Sequence, residues 1–223
     1  MLDQNLYDWA PLVIFLPSLA FLADWTLTLA GARAYRTISH RWSVEGSYEM
    51  NPAWEAAVDS GKWLNARVIA VAVVFLAALA ALWLATLAFE TVDGAALFSR
   101  PAIFAFAAGT LLLVQVPTLM NHAANLQQFR VFGDPSAANG QIRIARWVAL
   151  NQTGWFYLRF AVLWLILGVA SFQAFFLGGA LGCLVIGLRF RRLGNSAGTE
   201  GSEARVGEFN VDALRAHSES NPD

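Results

Sequence analysis

The stretch "QVPTLMNHAANLQQFR" (115–130) closes a run apolar enough to cross a bilayer with a set of polar side chains. Gln115, Thr118, Asn121 or His122, and Asn125 follow spacings of three and four, which puts them on one stripe of a helix. Amides on such a stripe exchange hydrogen bonds with neighbouring helices, and an imidazole takes up or releases a proton near neutrality or ligates a metal. Other segments carry groups that could complete a site. "ADWTLT" holds Asp24 with Thr28 one turn further on. "YEMNPAWE" (48–55) holds Glu49, Asn65 and Arg67 begin a later apolar run, and Asn151, Trp155 and Arg159 recur at i, i+4. An ionised side chain in hydrocarbon costs at least about 2.5–3.5 kcal/mol, so Asp24 and Arg159 should face the bundle, and we expect them to pair directly or through water.

These residues need a scaffold, and the composition says which kind. Of 223 residues 57% are hydrophobic and 14% charged, and the mean hydropathy of +0.48 lies outside the range of soluble domains. A spanning helix needs about 20 mostly apolar residues, and such runs occur near 11–32, 65–89 and 101–124. A fourth run, from 147 to 190, is too long for one helix at about 1.5 Å per residue. Splitting it at Ser171–Gln173 gives spans near 150–171 and 173–190. The fold expected is all-α: a polytopic membrane bundle over 1–192 with about five spans, followed by a flexible tail over 193–223 with a short helix at 209–216.

Charge orients the bundle. Arg33, Arg36, Arg41, Lys62 and Arg67 flank the first loop, Arg130, Arg143 and Arg146 the third, and Arg189, Arg191 and Arg192 the end of the fifth span. With five spans all of these fall on one side; Asp3, Asp8, Glu90, Asp93 and Arg100 fall on the other. Basic loops stay in the cytoplasm, which places the C-terminus inside, the N-terminus outside, and the polar stripe in the cytoplasmic leaflet of a multi-pass membrane protein. No Lys or Arg precedes Arg33, so the first run reads as a retained anchor rather than a signal peptide.

Several function classes fall away. The net charge of −1 and scattered arginines give no nucleic-acid surface. Cys183 is the single cysteine, which rules out an internal disulfide and a cysteine-based zinc site. No internal repeat suggests an inverted-repeat transporter. "GGALG" sets Gly178 and Gly182 four apart, a small-residue face for close helix packing. In the first loop Asn51 and Pro52 fit an N-cap and first helical position, Gly61 a helix end, and Trp54 and Trp63 interfacial anchors.

The Asp and Thr of "ADWTLT" followed by the E-x-N-P of "YEMNP" resemble small uncharacterised prokaryotic membrane proteins classed as domains of unknown function. The matching positions are Asp24, Thr28, Glu49, Asn51 and Pro52, within the first third of the chain. The resemblance implies an integral membrane protein and no activity.

Three functional readings follow. In the first, an accessory or oligomeric binding protein carries a polar site in the cytoplasmic leaflet, its candidate pocket residues being Asp24, Thr28, Glu49, Asn65, Arg67, Gln115, Asn121, His122, Asn125, Asn151 and Arg159. In the second, the same stripe lines the pathway of a small ion or solute transporter. In the third, Asp24, Glu49, His122 and Asn125 serve an intramembrane hydrolase of lipid or peptide; the residue types permit it, but no HExxH or GxSxG motif is present. The sequence points to no particular metal or cofactor, and to membrane lipids and a homo-oligomer or larger membrane complex as partners. The ordinary alternative for the stripe is that it only hydrogen-bonds neighbouring helices, at about 0.6 kcal/mol per contact.

Overall fold

The computed structural model describes residues 1–46, 48–88, 99–134, 136 and 142–208. Its elements run α1 (Leu2–Asp8), α2 (Ala10–Val13), α3 (Leu16–Ile38), β1 (Trp42–Val44), α4 (Glu55–Asp59) and α5 (Ala66–Ala88). They continue with α6 (Arg100–Leu112), α7 (Gln115–Gly133), β2 (Ile142–Ile144), α8 (Arg146–Ser171) and α9 (Ala174–Glu208). Among the described residues five helical segments are long and apolar enough to cross a membrane: Ala10–Ile38, Ala66–Ala88, Arg100–Gly133, Arg146–Ser171 and Ala174–Thr199. Leu163, Ile166 and Val169 of α8 and Val73, Val74 and Leu84 of α5 are exposed on the outside of the bundle, as lipid requires and water would not tolerate.

The long run divides where expected. Phe172 takes a left-handed conformation (φ 53°) that ends α8, and α9 starts two residues later. The free N–H groups of Ala174 and Phe175 are capped from the far end of the chain: Asp3 Oδ2 accepts from Ala174 N at 2.8 Å and Oδ1 from Phe175 N at 3.2 Å. Gln173 Oε1 accepts from Asp3 N at 3.1 Å in return. The arrangement is a capping box made by residues about 170 positions apart.

Two expectations about boundaries change. Residues 193–208, read as tail, continue α9, so the last helix projects well past its apolar part; the expected helix at 209–216 lies outside the described residues. In the first loop, Asn51 does not cap a helix beginning at Pro52. Its Oδ1 and carbonyl accept from Ala53 N and Trp54 N in a tight turn, and α4 begins only at Glu55, because Trp54 rather than a glutamate follows three residues on. Gly61, at φ +64°, does end this helix.

The third span changes partners halfway. Pro117 has no N–H to give the Leu113 carbonyl four residues back, so the ladder breaks at Leu113–Val114 between α6 and α7. Val116 N reaches that carbonyl at 3.3 Å, and the thiol of Cys183 lies 4.0 Å from it, so a weak contact from α9 covers the freed acceptor. Before the break α6 packs on α9; beyond it α7 packs on α3. The α6–α9 contact is close because both helices present glycine. A Cβ on Gly178 would fall on the Phe106 carbonyl and one on Gly182 would sit 2.6 Å from Thr110 O.

Among the described residues the helices are joined by one short parallel ribbon, which the sequence does not signal. β1 pairs with β2 in the register Trp42↔Ile142, Ser43↔Arg143, Val44↔Ile144. Arg146 Nη2 bonds Glu55 Oε2 at 3.1 Å beside it. The ribbon and this ion pair bring the first loop, the start of α8 and the loop after α7 to one end of the bundle, while Asp3, Phe172 and Gln173 meet at the other.

Gly178→Val should separate α6 from α9 at a cost of about 1–3 kcal/mol. The expected outcome is a lower melting temperature in detergent with unchanged helical content; an unaltered melt would refute the close contact.

Candidate functional site

α7, freed from α9 by the break, leaves a wedge between itself and the α8–α9 hairpin. The wedge is a cavity of about 340 Å³ with walls from α3, the first loop, α5, α7, α8 and α9. Its volume suits a small ligand. Helix periodicity brings Asp24 and Thr28 of α3 to face His122 of α7. His122 Nε2 stands 3.1 Å from Asp24 Oδ1 and 3.0 Å from Thr28 Oγ1. Both Asp24 and His122 are about 15% exposed, while Thr28 is buried. Asp24 Oδ1 makes no directed hydrogen bond, so the pair is held by charge and proximity more than by alignment.

Further along α7, Gln115, Thr118, Asn121 and Asn125 all line the cavity. Gln115 is buried, and the Thr118 hydroxyl is hydrogen-bonded to the Tyr157 hydroxyl of α8. From the first loop come Tyr48, Glu49, Asn51 and Trp54. The Tyr48 ring is seated against α3 where Gly31 leaves room: a Cβ there would overlap its hydroxyl. Glu49 Oε1 accepts from Asn51 N at 2.8 Å, which bends the loop back over the cavity. Burial raises the Glu49 carboxyl above its ordinary range; the hydrogen bond from Asn51 and the nearby His122 pull the other way, and the Asp24 and Glu55 carboxylates push it up. Burial and the neighbouring Glu49 likewise raise the Tyr48 phenol.

Seven of the candidate residues therefore meet in one place: Asp24, Thr28, Glu49, Gln115, Asn121, His122 and Asn125. Four do not. Arg159 does not pair with Asp24; it is exposed on the outer surface of α8. The buried face of that helix is Leu150, Gly154, Tyr157 and Ala161, and two residues from Tyr157 is about 200° around the helix, so Arg159 points away. Asn151 bonds the Trp147 carbonyl at 3.1 Å and packs on Gly194, outside the cavity. Asn65 Oδ1 accepts from Arg67 N at 2.9 Å at the start of α5. Arg67 is exposed, donates to the Ala53 carbonyl and lies 4.7 Å over the Trp54 ring, bracing the loop from behind.

Tyr48, Trp54, Tyr157 and Arg189 also line the cavity, though none is among the candidate pocket residues of the sequence. Trp54 lines the cavity instead of anchoring at an interface, while Trp63 is exposed. Tyr157 could have been found from the i, i+4, i+7, i+11 relation of Leu150, Gly154, Tyr157 and Ala161. Arg189, at the rim, reaches Asn51 Oδ1 at 3.4 Å, a contact between residues 138 positions apart that no local pattern encodes.

The chemistry this geometry allows is narrower than its residue types. A hydroxyl–imidazole–carboxylate triad activates its hydroxyl by placing the other two groups on opposite ring nitrogens. Here Thr28 and Asp24 share Nε2, and Nδ1 is buried without a protein partner. No proton can pass through the ring from Thr28 to Asp24. Among the described residues no group of three or more His, Cys, Asp and Glu side chains is placed to hold a metal ion. The arrangement is therefore one of close polar groups around a cavity rather than an activated hydroxyl. No protein-family model matches the sequence, and no curated protein or solved structure matches it either.

His122→Ala leaves the largely buried Asp24 carboxylate without its partner and should cost about 1–3 kcal/mol. The double variant with Asp24→Asn should melt higher than His122→Ala alone; equal melting of the two would show that the groups are uncoupled. Glu49 gives a separate pH signature. Its carboxyl is raised in the folded protein, so the folded state binds more protons than the unfolded one above the ordinary value of 4.5. Stability of the parent relative to Glu49→Gln should therefore fall as pH rises from about 4.5 through the raised value; a difference independent of pH between 4 and 8 would refute this.

Proposed function

We propose that the chain is a binding protein of the prokaryotic inner membrane, acting as an oligomer or as an accessory subunit of a larger membrane complex, with its ligand site in the cytoplasmic leaflet. The observation that carries this reading is the 340 Å³ cavity in which Asp24, His122 and Glu49 converge from α3, α7 and the first loop. Side chains serving only to lock helices together would be expected to fill their space, not to border a cavity. The shared use of Nε2 favours binding over hydrolysis.

Orientation rests on charge. Arg36, Arg41, Lys62, Arg130, Arg143, Arg146 and Arg189 flank the end with the ribbon, and the positive-inside rule then puts that end and the cavity mouth in the cytoplasm, with the N-terminus outside. The E-x-N-P resemblance fits this placement, since its Glu49 and Asn51 stand at the mouth. Lipids flank the site through the apolar surfaces of α5 and α8.

A single labelling experiment tests mouth and orientation together. With the fully buried Cys183 replaced by alanine, Thr153→Cys places a thiol on the cavity wall. A membrane-impermeant thiol reagent should modify it in inverted vesicles and not in intact cells. Modification in intact cells would overturn the orientation, and none in either preparation would overturn a cavity open to water.

A further inference from the structure

Arg159 is exposed on the outer surface of α8, and among the described residues its guanidinium makes no ion pair and no hydrogen bond. A bare guanidinium in hydrocarbon is costly, so its position marks a place that something polar reaches. Depth along the helix says what that is. Asn151, Gln152 and Thr153 precede Trp155, and from Trp155 to the end of α8 at Ser171 the rise is about 25 Å, close to a hydrocarbon core of about 30 Å. Counted from Arg146 the same helix would measure about 39 Å, too long for an upright span. The membrane boundary on the ribbon side therefore runs near Trp155, whose ring is half-exposed as interfacial tryptophans are. Arg159 lies about one turn, or about 6 Å, beneath it. Helical side chains lean towards the helix N-terminus, which for α8 is this boundary, so the long stem of Arg159 carries its charge up to the level of lipid phosphates.

A second arginine meets it there from the neighbouring helix. Arg191 of α9 places its guanidinium carbon 4.4 Å from the centroid of the Trp155 ring. Its stem is seated against Gly154, where a Cβ would come within 2.6 Å of Arg191 Cγ. Arg191 Nε is buried with no hydrogen-bond partner among the described residues. Gln152 is exposed two turns before Arg159 on the same side of α8 and adds an amide at the boundary. No carboxylate answers these groups: α8 has no acidic residue, α9 has none before Glu200, and Glu45 and Glu55 are taken by Arg143 and Arg146. Planar guanidinium forks, one from each helix, suit a phosphate, which each can grip through two N–H groups. The same lack of carboxylates leaves nothing to hold the ammonium of a zwitterionic headgroup.

We propose that the outer face of the α8–α9 hairpin is a site for an anionic phospholipid, its headgroup phosphate held by Arg159 and Arg191 with Gln152 beside it, and its acyl chains lying along the exposed Val162, Leu163 and Ile166 of α8. Neither arginine lines the cavity between α3, α7 and α8, so this site stands apart from the one proposed above.

The test uses the full chain, delipidated in a neutral detergent and titrated with dioleoylphosphatidylglycerol, dioleoylphosphatidylethanolamine or inorganic phosphate, with bound lipid and oligomeric state read by native mass spectrometry. The glycerol lipid should bind at least about tenfold more tightly than the ethanolamine lipid, given about fivefold for each arginine at a membrane surface. Arg159→Gln and Arg191→Gln should each weaken it about fivefold, and the double variant should bind the two lipids alike. Arg33→Gln, which removes an exposed charge from α3 towards the same end of the bundle, should leave the preference unchanged. Should Arg191→Gln fail to fold, the exposed Arg159→Gln against Arg33→Gln carries the comparison. Equal binding of the two lipids by the parent, or an equal loss in Arg33→Gln, would overturn the site. So would displacement of the glycerol lipid by millimolar inorganic phosphate, which would make it a site for the free ion. A lipid-free parent oligomer that Arg159→Gln breaks into monomers would assign Arg159 to a second copy of the chain and overturn the lipid assignment as well.

Discussion

A backbone carbonyl inside a membrane has no water to turn to, and the Leu113 carbonyl loses its helical donor because Pro117 has none to offer. Much of the bundle is arranged around that one defect. Val116 N and the Cys183 thiol cover the oxygen, which ties the break to α9 at the point where the third span stops following it. Up to the break, glycines on α6 and α9 allow near backbone contact; after it, α7 carries a polar face that a lipid-facing or tightly packed helix could not hold. The same proline that interrupts the ladder therefore creates the room in which His122 and its neighbours are accommodated.

Within that room the polar groups are satisfied unevenly. Thr118 with Tyr157, and Glu49 with Asn51, make well-directed hydrogen bonds; Asp24 and His122 meet at close range without one. Packing fixes the first two and, among the described residues, leaves the second pair with unused hydrogen-bonding capacity. The loop residues around the mouth are held from outside, by Arg67 on Trp54, by Arg146 on Glu55 and by Gly31 making space for Tyr48. None of these braces is made with the acid–imidazole pair itself.

What could be read from sequence follows the range of the interaction. Hydropathy over twenty residues located the five spans, and the split at Ser171–Gln173 followed from length alone. The α7 stripe was legible because helical spacing is local. The partner of Asp24 is not: charge and depth point to Arg159, whereas the rotation of α8 is set by its buried face, Gly154, Tyr157 and Ala161, which turns Arg159 outward. Asp24 found a histidine because α3 packs on α7, a pairing no periodicity encodes. The β1–β2 ribbon, three residues per strand and about 100 positions apart, is below any pattern a sequence shows. Trp54 looked like an interfacial anchor because its type is common there; only the turn at Asn51 directs it inward.

The Asp3 cap has a consequence for the order of assembly. Helices enter a membrane as they are made, first to last, and the carboxylate that completes the first turn of α9 is carried by α1. While the first four spans are in place, Asp3 has neither of these two N–H partners, and the α8–α9 hairpin supplies both in a single event. The bundle is thus closed at this end by its own last helix, and a chain that stops before residue 174 leaves the Asp3 carboxylate without either of these N–H donors.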